Sequence, residues 1–199
     1  MISHYQEDDL IRVRKDNEIL TDLSRFSTGN YKAGPSWKVI LWYPFNYFVF
    51  NSSIPWPYGF KARLLRLFGA RVGKNVIIKN RVRIKNPWRF SVGSNSWIGE
   101  DVWIDNLEDV ELGRNVCLSQ GAVLLTGNHD YTVADFPYRL GKIQLHDGVW
   151  IGAQSVVCPG TKCGSHSILT VNSVASKSMM DWGIYSGNPA KMIRSRKMH

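Results

Sequence analysis

An aliphatic or small apolar residue recurs at every sixth position from Val72 to Ala175, apart from three longer steps. A period of six fits neither the 3.6-residue repeat of a helix nor the alternation of one long strand. It predicts a β-solenoid whose flat faces each place one apolar side chain in a stacked core. The series is Val72, Ile78, Ile84, Val92, Ile98, Ile104, Leu112, Leu118, Leu124, Leu145, Ile151, Val157, Cys163, Leu169 and Ala175.

Glycine often follows the apolar residue, as at Gly93, Gly99 and Gly152, and the fifth position is usually small or β-branched. We expect these glycines at the corners between faces, where a positive φ would strain other residues. Short strands in a sandwich are the competing interpretation. A sandwich gives no reason for so many hexads to stay in register.

Motifs spread over residues 20–196 resemble those of a known family. The repeats, the segment LHDGVWIGAQSVVCPGTKCG and the ending SGNPAKMIR are similar to hexapeptide-repeat acyltransferases. The stretches LLRLFGARVG, NPWRFSVG and CLSQGAVLLTGNHDY resemble the colanic acid biosynthesis acetyltransferase-like subgroup. The resemblance implies a left-handed parallel β-helix with three faces, acetyl-CoA as donor, and a homotrimer whose site lies between subunits. It also implies O-acetylation of a saccharide in exopolysaccharide or lipopolysaccharide biosynthesis.

The three longer steps all follow the third apolar residue of a coil. Two have eight residues, from Ile84 to Val92 and from Ile104 to Leu112, and the third runs from Leu124 to Leu145. On stacked coils these insertions lie above one another at one corner. We therefore predict that Asn106 lies about one coil spacing from the base of the longest insertion.

The longest insertion, a loop over residues 126–144, opens with the polar run Gly127–Asp130. Excursions from a rigid scaffold usually serve binding or catalysis. Acetyl transfer to a hydroxyl needs a base, and an imidazole titrates near neutrality. His129 also matches the family's catalytic histidine, so we predict that it is the general base. The aromatic residues Tyr131, Phe136 and Tyr138 are expected to pack this loop against a neighbouring subunit.

The acceptor site is predicted from polar residues near this corner and one tryptophan. Asn106 and Asn128 either bind the acceptor or form turns. Asp130 either orients the imidazole or caps a turn, while Asp105 occupies a position where the hexad favours Gly or Asp for backbone reasons. The resemblance places Trp150 at the acyl end of the donor.

The donor site follows from the resemblance by matching position. The N–H of Ala153 would face the thioester carbonyl, and Val171, Ser176 and Lys177 would flank the pantetheine and phosphates. Lys191 and Arg194 would meet the phosphate and adenosine end; cationic side chains bind phosphates. A net charge of +9 fits this phosphorylated donor or an anionic membrane surface. Nucleic acid would explain the charge too, but no nucleic-acid-binding motif is present.

Cysteine and histidine spacing indicates neither a disulfide framework nor a metal site. Three cysteines without a CxxC pair favour a cytoplasmic setting, and the start of the chain does not read as a signal peptide. Cys163 is expected in the core stack, and Cys117 in packing rather than in acyl transfer. The zinc carbonic anhydrases that share this kind of fold need three converging imidazoles, which His129, His146 and His166 do not suggest.

The chain is predicted to divide into an N-terminal segment, residues 1–70, and a catalytic β-helix, residues 71–199, with a C-terminal tail over 180–199. Trp37–Phe50 is aromatic but too short and interrupted to span a bilayer, and Lys61–Gly73 reads as a basic amphipathic helix that ends at Gly69. A cap on the open end of the solenoid is favoured over an interfacial membrane anchor, and the two roles are compatible.

Two other functions remain open at this stage. One is N-acetylation of a nucleotide-linked amino sugar, and the other is a non-enzymatic trimeric scaffold that binds no CoA.

Overall fold

A computed structural model describes residues 20–29 and 31–198. The part of the N-terminal segment that precedes residue 20, including the start of the chain, lies outside the described residues. After a 3-10 turn at Leu23–Arg25, helix α1 spans Ser36–Phe45 and continues into a π-helical segment, Asn46–Phe50. Helix α2 spans Tyr58–Leu67, so it begins three residues before the predicted helix and ends two residues before Gly69.

Short strands then wind through five coils in the described residues. The first three coils comprise β1 (Arg71–Val72), β2 (Ile77–Ile78), β3 (Arg83–Ile84), β4 (Phe90–Val92), β5 (Trp97–Ile98), β6 (Trp103–Asp105), β7 (Val110–Leu112), β8 (Cys117–Leu118) and β9 (Val123–Leu125). A hairpin, β10 (Gly127–His129) and β11 (Tyr138–Leu140), interrupts the winding. The last coils comprise β12 (Ile143–Leu145), β13 (Trp150–Ile151), β14 (Val156–Val157), β15 (Lys162–Cys163), β16 (Ile168–Leu169) and β17 (Val174–Ala175), followed by β18 (Gly183–Gly187) and β19 (Ala190–Ser195).

Stacking of the coils produces three parallel sheets, which confirms the three-faced β-helix. Sheet A has the order β1-β4-β7-β12-β15 and sheet C the order β3-β6-β9-β14-β17. Sheet B runs β2-β5-β8-β13-β16-β18, and β19 adds an antiparallel edge to β18. The apolar residue of each hexad is in register with its equivalents, as in the fully buried column Ile78, Ile98, Leu118, Ile151 and Leu169.

The glycines that follow the apolar residues were predicted to adopt positive φ, and this was wrong. Positive φ lies two residues further on, as at Asn95 (61°) and Asn115 (55°), and not at Gly93 or Gly113. The glycines are needed because the next coil passes too close for a side chain. A Cβ on Gly93 would lie 2.5 Å from the carbonyl carbon of Gly113. Close backbone approach therefore selects glycine here, while short polar residues take the left-handed position.

The N-terminal helices close the first coil. Trp42, only 2% exposed, donates its indole N–H to the carbonyl of Ile84 at 2.8 Å. Lys61 is fully buried, and its Nζ donates to the carbonyl of Lys79 at 2.7 Å. Burial lowers the pKa of Lys61 to about 8. Both side chains donate to carbonyl oxygens that no other coil of the described residues covers, so the helices lie over this end of the solenoid.

Candidate active site

The three insertions lie at one corner, between sheet C and the next strand of sheet A, as predicted. We call it the C/A corner. Two of them are held together by an asparagine pair. The Asn86 backbone N–H donates to Asn106 Oδ1 at 2.9 Å, and Asn106 Nδ2 donates to the Asn86 carbonyl at 2.6 Å. The side chain of Asn86 in turn donates to the Asn106 carbonyl at 2.9 Å.

This pair corrects the acceptor-binding alternative for Asn106. Its side chain is fully buried, and both ends of its amide are taken up by the backbone of Asn86. A buried amide that gave up these partners would leave two backbone groups unsatisfied. Thr126, also fully buried, continues the column above Asn106 and accepts the N–H of Glu108 at 2.9 Å. Asn106 is therefore one coil from the base of the loop, as predicted, but serves the scaffold.

The long insertion forms an antiparallel hairpin that holds His129 opposite Tyr138. His129 Nδ1 lies 2.8 Å from the carbonyl oxygen of Phe136. Because a carbonyl can only accept, Nδ1 carries the hydrogen, and the lone pair of a neutral imidazole is then on Nε2. Phe136 presents this carbonyl from the left-handed region, with φ of 49°, which a bulky residue seldom adopts.

Aromatic rings surround the half-buried imidazole. Phe136 stacks on it with centroids 4.4 Å apart and an interplanar angle of 12°. Tyr138 lies at 5.1 Å and Phe26, from the N-terminal segment, at 5.6 Å. Phe136 and Tyr138 therefore pack within the chain, and their packing against a neighbouring subunit stays a prediction. Tyr131 is 76% exposed.

The contact of the N-terminal segment with the loop was missed at the sequence level. The backbone N–H of Asp22 donates to the carbonyl of Ala134 at 2.7 Å, and Phe26 and Tyr31 both pack edge-on against Tyr138. A cavity of about 510 Å³ lies between segment and loop, with Tyr31, Lys32 and Tyr138 in its wall. No periodicity marks residues 20–33, so the sequence carried no signal for this contact.

The remaining polar candidates at this corner have separate partners. Asp130 Oδ1 accepts the backbone N–H of Thr132 at 3.0 Å, and the Thr132 hydrogen bonds hold the pKa of this carboxyl below its usual range. Asp130 therefore caps a turn, and the imidazole is oriented by Phe136. Asn128 is exposed and accepts the His129 backbone N–H at 2.8 Å, while Asp105 Oδ1 lies 2.9 Å from Lys85 Nζ.

The predicted thioester contact, Ala153, lies at a different corner, between sheets B and C, which we call the B/C corner. Its carbonyl accepts the N–H of Asn172 at 3.0 Å, but its own N–H has no acceptor within residues 20–29 and 31–198. The N–H groups of Gln120 and Val171, at the equivalent positions of the neighbouring coils, likewise have no acceptor among the described residues. Trp150, on sheet B, is 45% exposed and donates to Ser119 Oγ at 2.9 Å.

The other predicted donor-binding residues divide between two places. Ser176 and Lys177 are exposed at the C/A corner of the last coil. Lys191 and Arg194 are exposed on β19, opposite Ser186 and Ile184. One copy of the chain does not bring these residues to one surface with His129 and Ala153.

The cysteines offer no nucleophile. Cys163 is buried in the core stack as predicted, and burial raises its pKa to about 12. Burial also raises the pKa of Cys117, opposite to what a thiolate nucleophile needs.

His166 stacks on Trp182 with ring centroids 4.3 Å apart. Throughout the described ranges, no three His, Cys, Asp or Glu side chains are grouped so as to hold a metal ion.

Comparison with known proteins extends over nearly the whole chain. The colanic acid biosynthesis acetyltransferase WcaF of Escherichia coli K12 is 34% identical over 178 residues, which is 89% of this chain and 98% of WcaF. No protein-family model matches. The fold and this similarity define a hexapeptide-repeat acyltransferase. Within that class, the chain belongs to the family of colanic acid biosynthesis acetyltransferases and is an acetyltransferase.

Solved structures share the fold. A maltose O-acetyltransferase from Clostridium difficile 630 aligns with a TM-score of 0.75 and 22% identity, covering 91% of this chain and all of that one. A galactoside acetyltransferase in complex with coenzyme A aligns with a TM-score of 0.72 and 22% identity, covering 81% of this chain and 82% of that one. No helix within the described ranges is long and apolar enough to cross a membrane.

Proposed function

We propose that this protein transfers the acetyl group of acetyl-CoA to a hydroxyl of a saccharide, with His129 as the general base. The observation that carries the proposal is the hydrogen bond between His129 Nδ1 and the Phe136 carbonyl, because it leaves Nε2 to accept a proton. The description of WcaF and the sugar substrates in the names of the solved structures support a saccharide acceptor in polysaccharide biosynthesis.

The reaction is a direct transfer. Nε2 of His129 removes the hydroxyl proton as the acceptor oxygen bonds to the thioester carbonyl carbon. The oxyanion of the tetrahedral intermediate accepts a hydrogen bond from the N–H of Ala153. When the intermediate collapses, the carbon–sulfur bond breaks and the imidazolium returns its proton to the leaving thiolate. Acetyl ester and CoA thiol are the products, and His129 is neutral again.

The donor site is proposed at the B/C corner. The N–H groups of Gln120, Ala153 and Val171, which have no acceptor among the described residues, follow one another along this edge. An extended pantetheine arm has carbonyl oxygens that can accept them. The exposed cations Lys191 and Arg194 lie beyond the last coil, where they would meet phosphates of the donor. Trp150 lies on sheet B just before the corner that carries Ala153, and it would border the acyl group.

A homotrimer is proposed because one chain keeps His129 and Ala153 on opposite edges of sheet C. A neighbouring copy must bring the two together, with Ser176 and Lys177 lying on the same edge as His129. Outward-facing side chains support this assembly. On sheet A these side chains are polar: Arg71, Ser91, Glu111, Gln144 and Lys162. On sheet B they are mostly apolar: Ile77, Trp97, Cys117, Trp150 and Ile168. Apolar exposed columns mark interfaces.

The acceptor is proposed to reach Nε2 of His129 from the open side of the loop, where Asn128 and Asp105 are the polar groups available to bind it. Asn128 is exposed, and its amide nitrogen can donate to a sugar hydroxyl. Asp105 would act through its carboxylate while paired with Lys85.

The test is titration of the purified protein with acetyl-CoA by calorimetry, followed by an acetyl-transfer assay that measures released thiol. We expect saturable binding of about one donor per chain, weakened by salt, because charge contacts are screened. Paired acceptors that differ only in carrying a hydroxyl or an amino group then separate O- from N-acetylation. Absence of donor binding would leave the scaffold interpretation, and preference for the amino sugar would overturn the O-acetyl assignment.

A further inference from the structure

The outer surface of the N-terminal helices is apolar well beyond what a cap needs. In α1 only Trp42 is buried, while Ile40 is 70% and Tyr43 75% exposed. The π-helical segment adds Tyr47 at 60% and Phe48 at 63%. Within α1 and the π-helical segment, the buried side chains are Trp42, Val49 and Phe50. The exposed side chains take no part in that packing, and exposed apolar patches of this kind mark interaction surfaces.

The net positive charge of the chain lies in the same part of the sequence. Residues 23–99 contain thirteen Lys and Arg and not one Asp or Glu, so the rest of the chain is slightly acidic. Part of this charge is balanced within the coils. Arg81 lies 2.7 Å from Asp101, Lys85 2.9 Å from Asp105 and Arg89 2.7 Å from Glu108. Asp101, Asp105 and Glu108 therefore already neutralise three of these cations.

Other cations of this region remain beside the exposed aromatics. Lys38 Nζ lies 5.7 Å from the Trp37 ring centroid, and Lys79 Nζ lies 5.7 Å from that of Tyr58. Arg63 is exposed on α2. Within the described ranges no carboxylate pairs with Lys38, Arg63 or Lys79. We call the exposed side chains of residues 37–60, together with Arg63 and Lys79, the cap surface.

We propose that the cap surface docks onto an anionic lipid bilayer. Aromatic and aliphatic side chains next to unpaired cations are the composition that the interfacial layer of such a membrane binds. Helix α1 and the π-helical segment together have fifteen residues, about 22 Å of helix, which is too short to cross the hydrocarbon core. The contact is peripheral, with α1 lying in the plane of the headgroups.

A protein partner fits the cap surface less well. Two copies that met through their cap surfaces would bring cations against cations, because residues 23–99 contain no Asp or Glu. The apolar column of sheet B lies on the side of the prism, whereas the cap surface lies at its end. Packing of the prisms side by side therefore leaves the cap surface open.

The experiment is flotation of the full-length protein with vesicles of phosphatidylcholine alone, or with about 30% phosphatidylglycerol, at low and high salt. We expect wild-type protein to float with the anionic vesicles only, and less at high salt. The triple variant Ile40→Ser, Tyr43→Ser, Phe48→Ser should lose binding by about tenfold or more. The triple variant Lys38→Gln, Arg63→Gln, Lys79→Gln should lose binding and its salt dependence.

The control is Met180→Ser with Met198→Ser, which removes two exposed apolar side chains beyond the last coil, 62% and 64% exposed. It should bind vesicles like the wild type. Size-exclusion chromatography and circular dichroism of every variant report assembly and folding. Failure of wild-type protein to float with anionic vesicles would overturn the proposal. A serine triple variant that floats like the wild type would overturn it too. So would a serine triple variant whose flotation is unchanged but whose oligomeric state differs, because the cap surface would then be a protein interface.

Discussion

The C/A corner is built in two ways in the same molecule. In the first two coils, insertions of two extra residues close on themselves, because Asn86 and Asn106 satisfy each other's backbone and amide groups. In the third coil, the insertion becomes a hairpin that holds an imidazole with one nitrogen bonded and the other unpartnered within the described residues. The same stacking of coils thus supports insertions whose asparagine groups are paired and an insertion that leaves one imidazole nitrogen available.

The difference teaches that insertion length at a corner does not by itself predict function. Asn106 and His129 are both polar residues on adjacent insertions, yet one is fully buried and the other half-buried among aromatic rings. What separates them is whether every hydrogen-bonding group has an internal partner. The closed insertions should therefore affect stability when changed, and the open one should affect catalysis.

The largest expected effect is on catalysis at the open insertion. His129→Ala should lower kcat by about a hundred- to ten-thousandfold, because it removes the base that takes the hydroxyl proton. The affinity for acetyl-CoA should stay close to that of the wild type. Steady-state kinetics and calorimetric titration check this together. Turnover that survives the substitution would remove His129 from the mechanism.

The next effect is on stability at the closed insertions. Asn106→Ala should lower the free energy of unfolding by about 2–4 kcal/mol, because the buried N–H and carbonyl of Asn86 lose their partners. Denaturant unfolding at one fixed protein concentration measures it. Asn128→Ala is the matched control, since its side chain is exposed, and it should change stability by less than about 0.5 kcal/mol. Equal effects of the two substitutions would contradict the asparagine pairing.

A smaller effect is expected where the N-terminal segment meets the loop. Phe26→Ala removes a ring from the packing of His129 and Tyr138 and should lower kcat about tenfold through loss of positioning, with the KM for acetyl-CoA unchanged. Leu23→Ala, in the same segment and 64% exposed, is the control and should have no such effect. A matching change in thermal stability without the kcat change would show a purely structural role.

The smallest effect is expected at Asp130. Asp130→Asn should change kcat by less than about twofold, because the carboxylate holds Thr132 and not the imidazole. The lowered pKa of Asp130 means that its charged form is favoured in the folded state. Its contribution to stability is present above the ordinary carboxyl pKa and disappears as pH falls through the lowered value. Urea unfolding at acidic pH, compared between wild type and variant, checks the sign.

The sequence by itself determined the solenoid, the register of its core and the corner that carries the insertions. It could do so because each coil contacts mainly its neighbours, so that a six-residue period along the chain becomes a column in space. The equal spacing of Asn86 and Asn106 after Ile84 and Ile104 even carried the signal for their pairing, although the pairing itself was not predicted.

Only the tertiary structure decided what lies around His129 and why the glycines are needed. The Phe136 carbonyl, the Phe26 ring and the close approach of Gly93 to Gly113 are contacts of backbone or of residues far apart in sequence. Such contacts depend on how the chain returns to itself in three dimensions. A one-dimensional period records which side chains face the core, but not which carbonyl or ring arrives beside them.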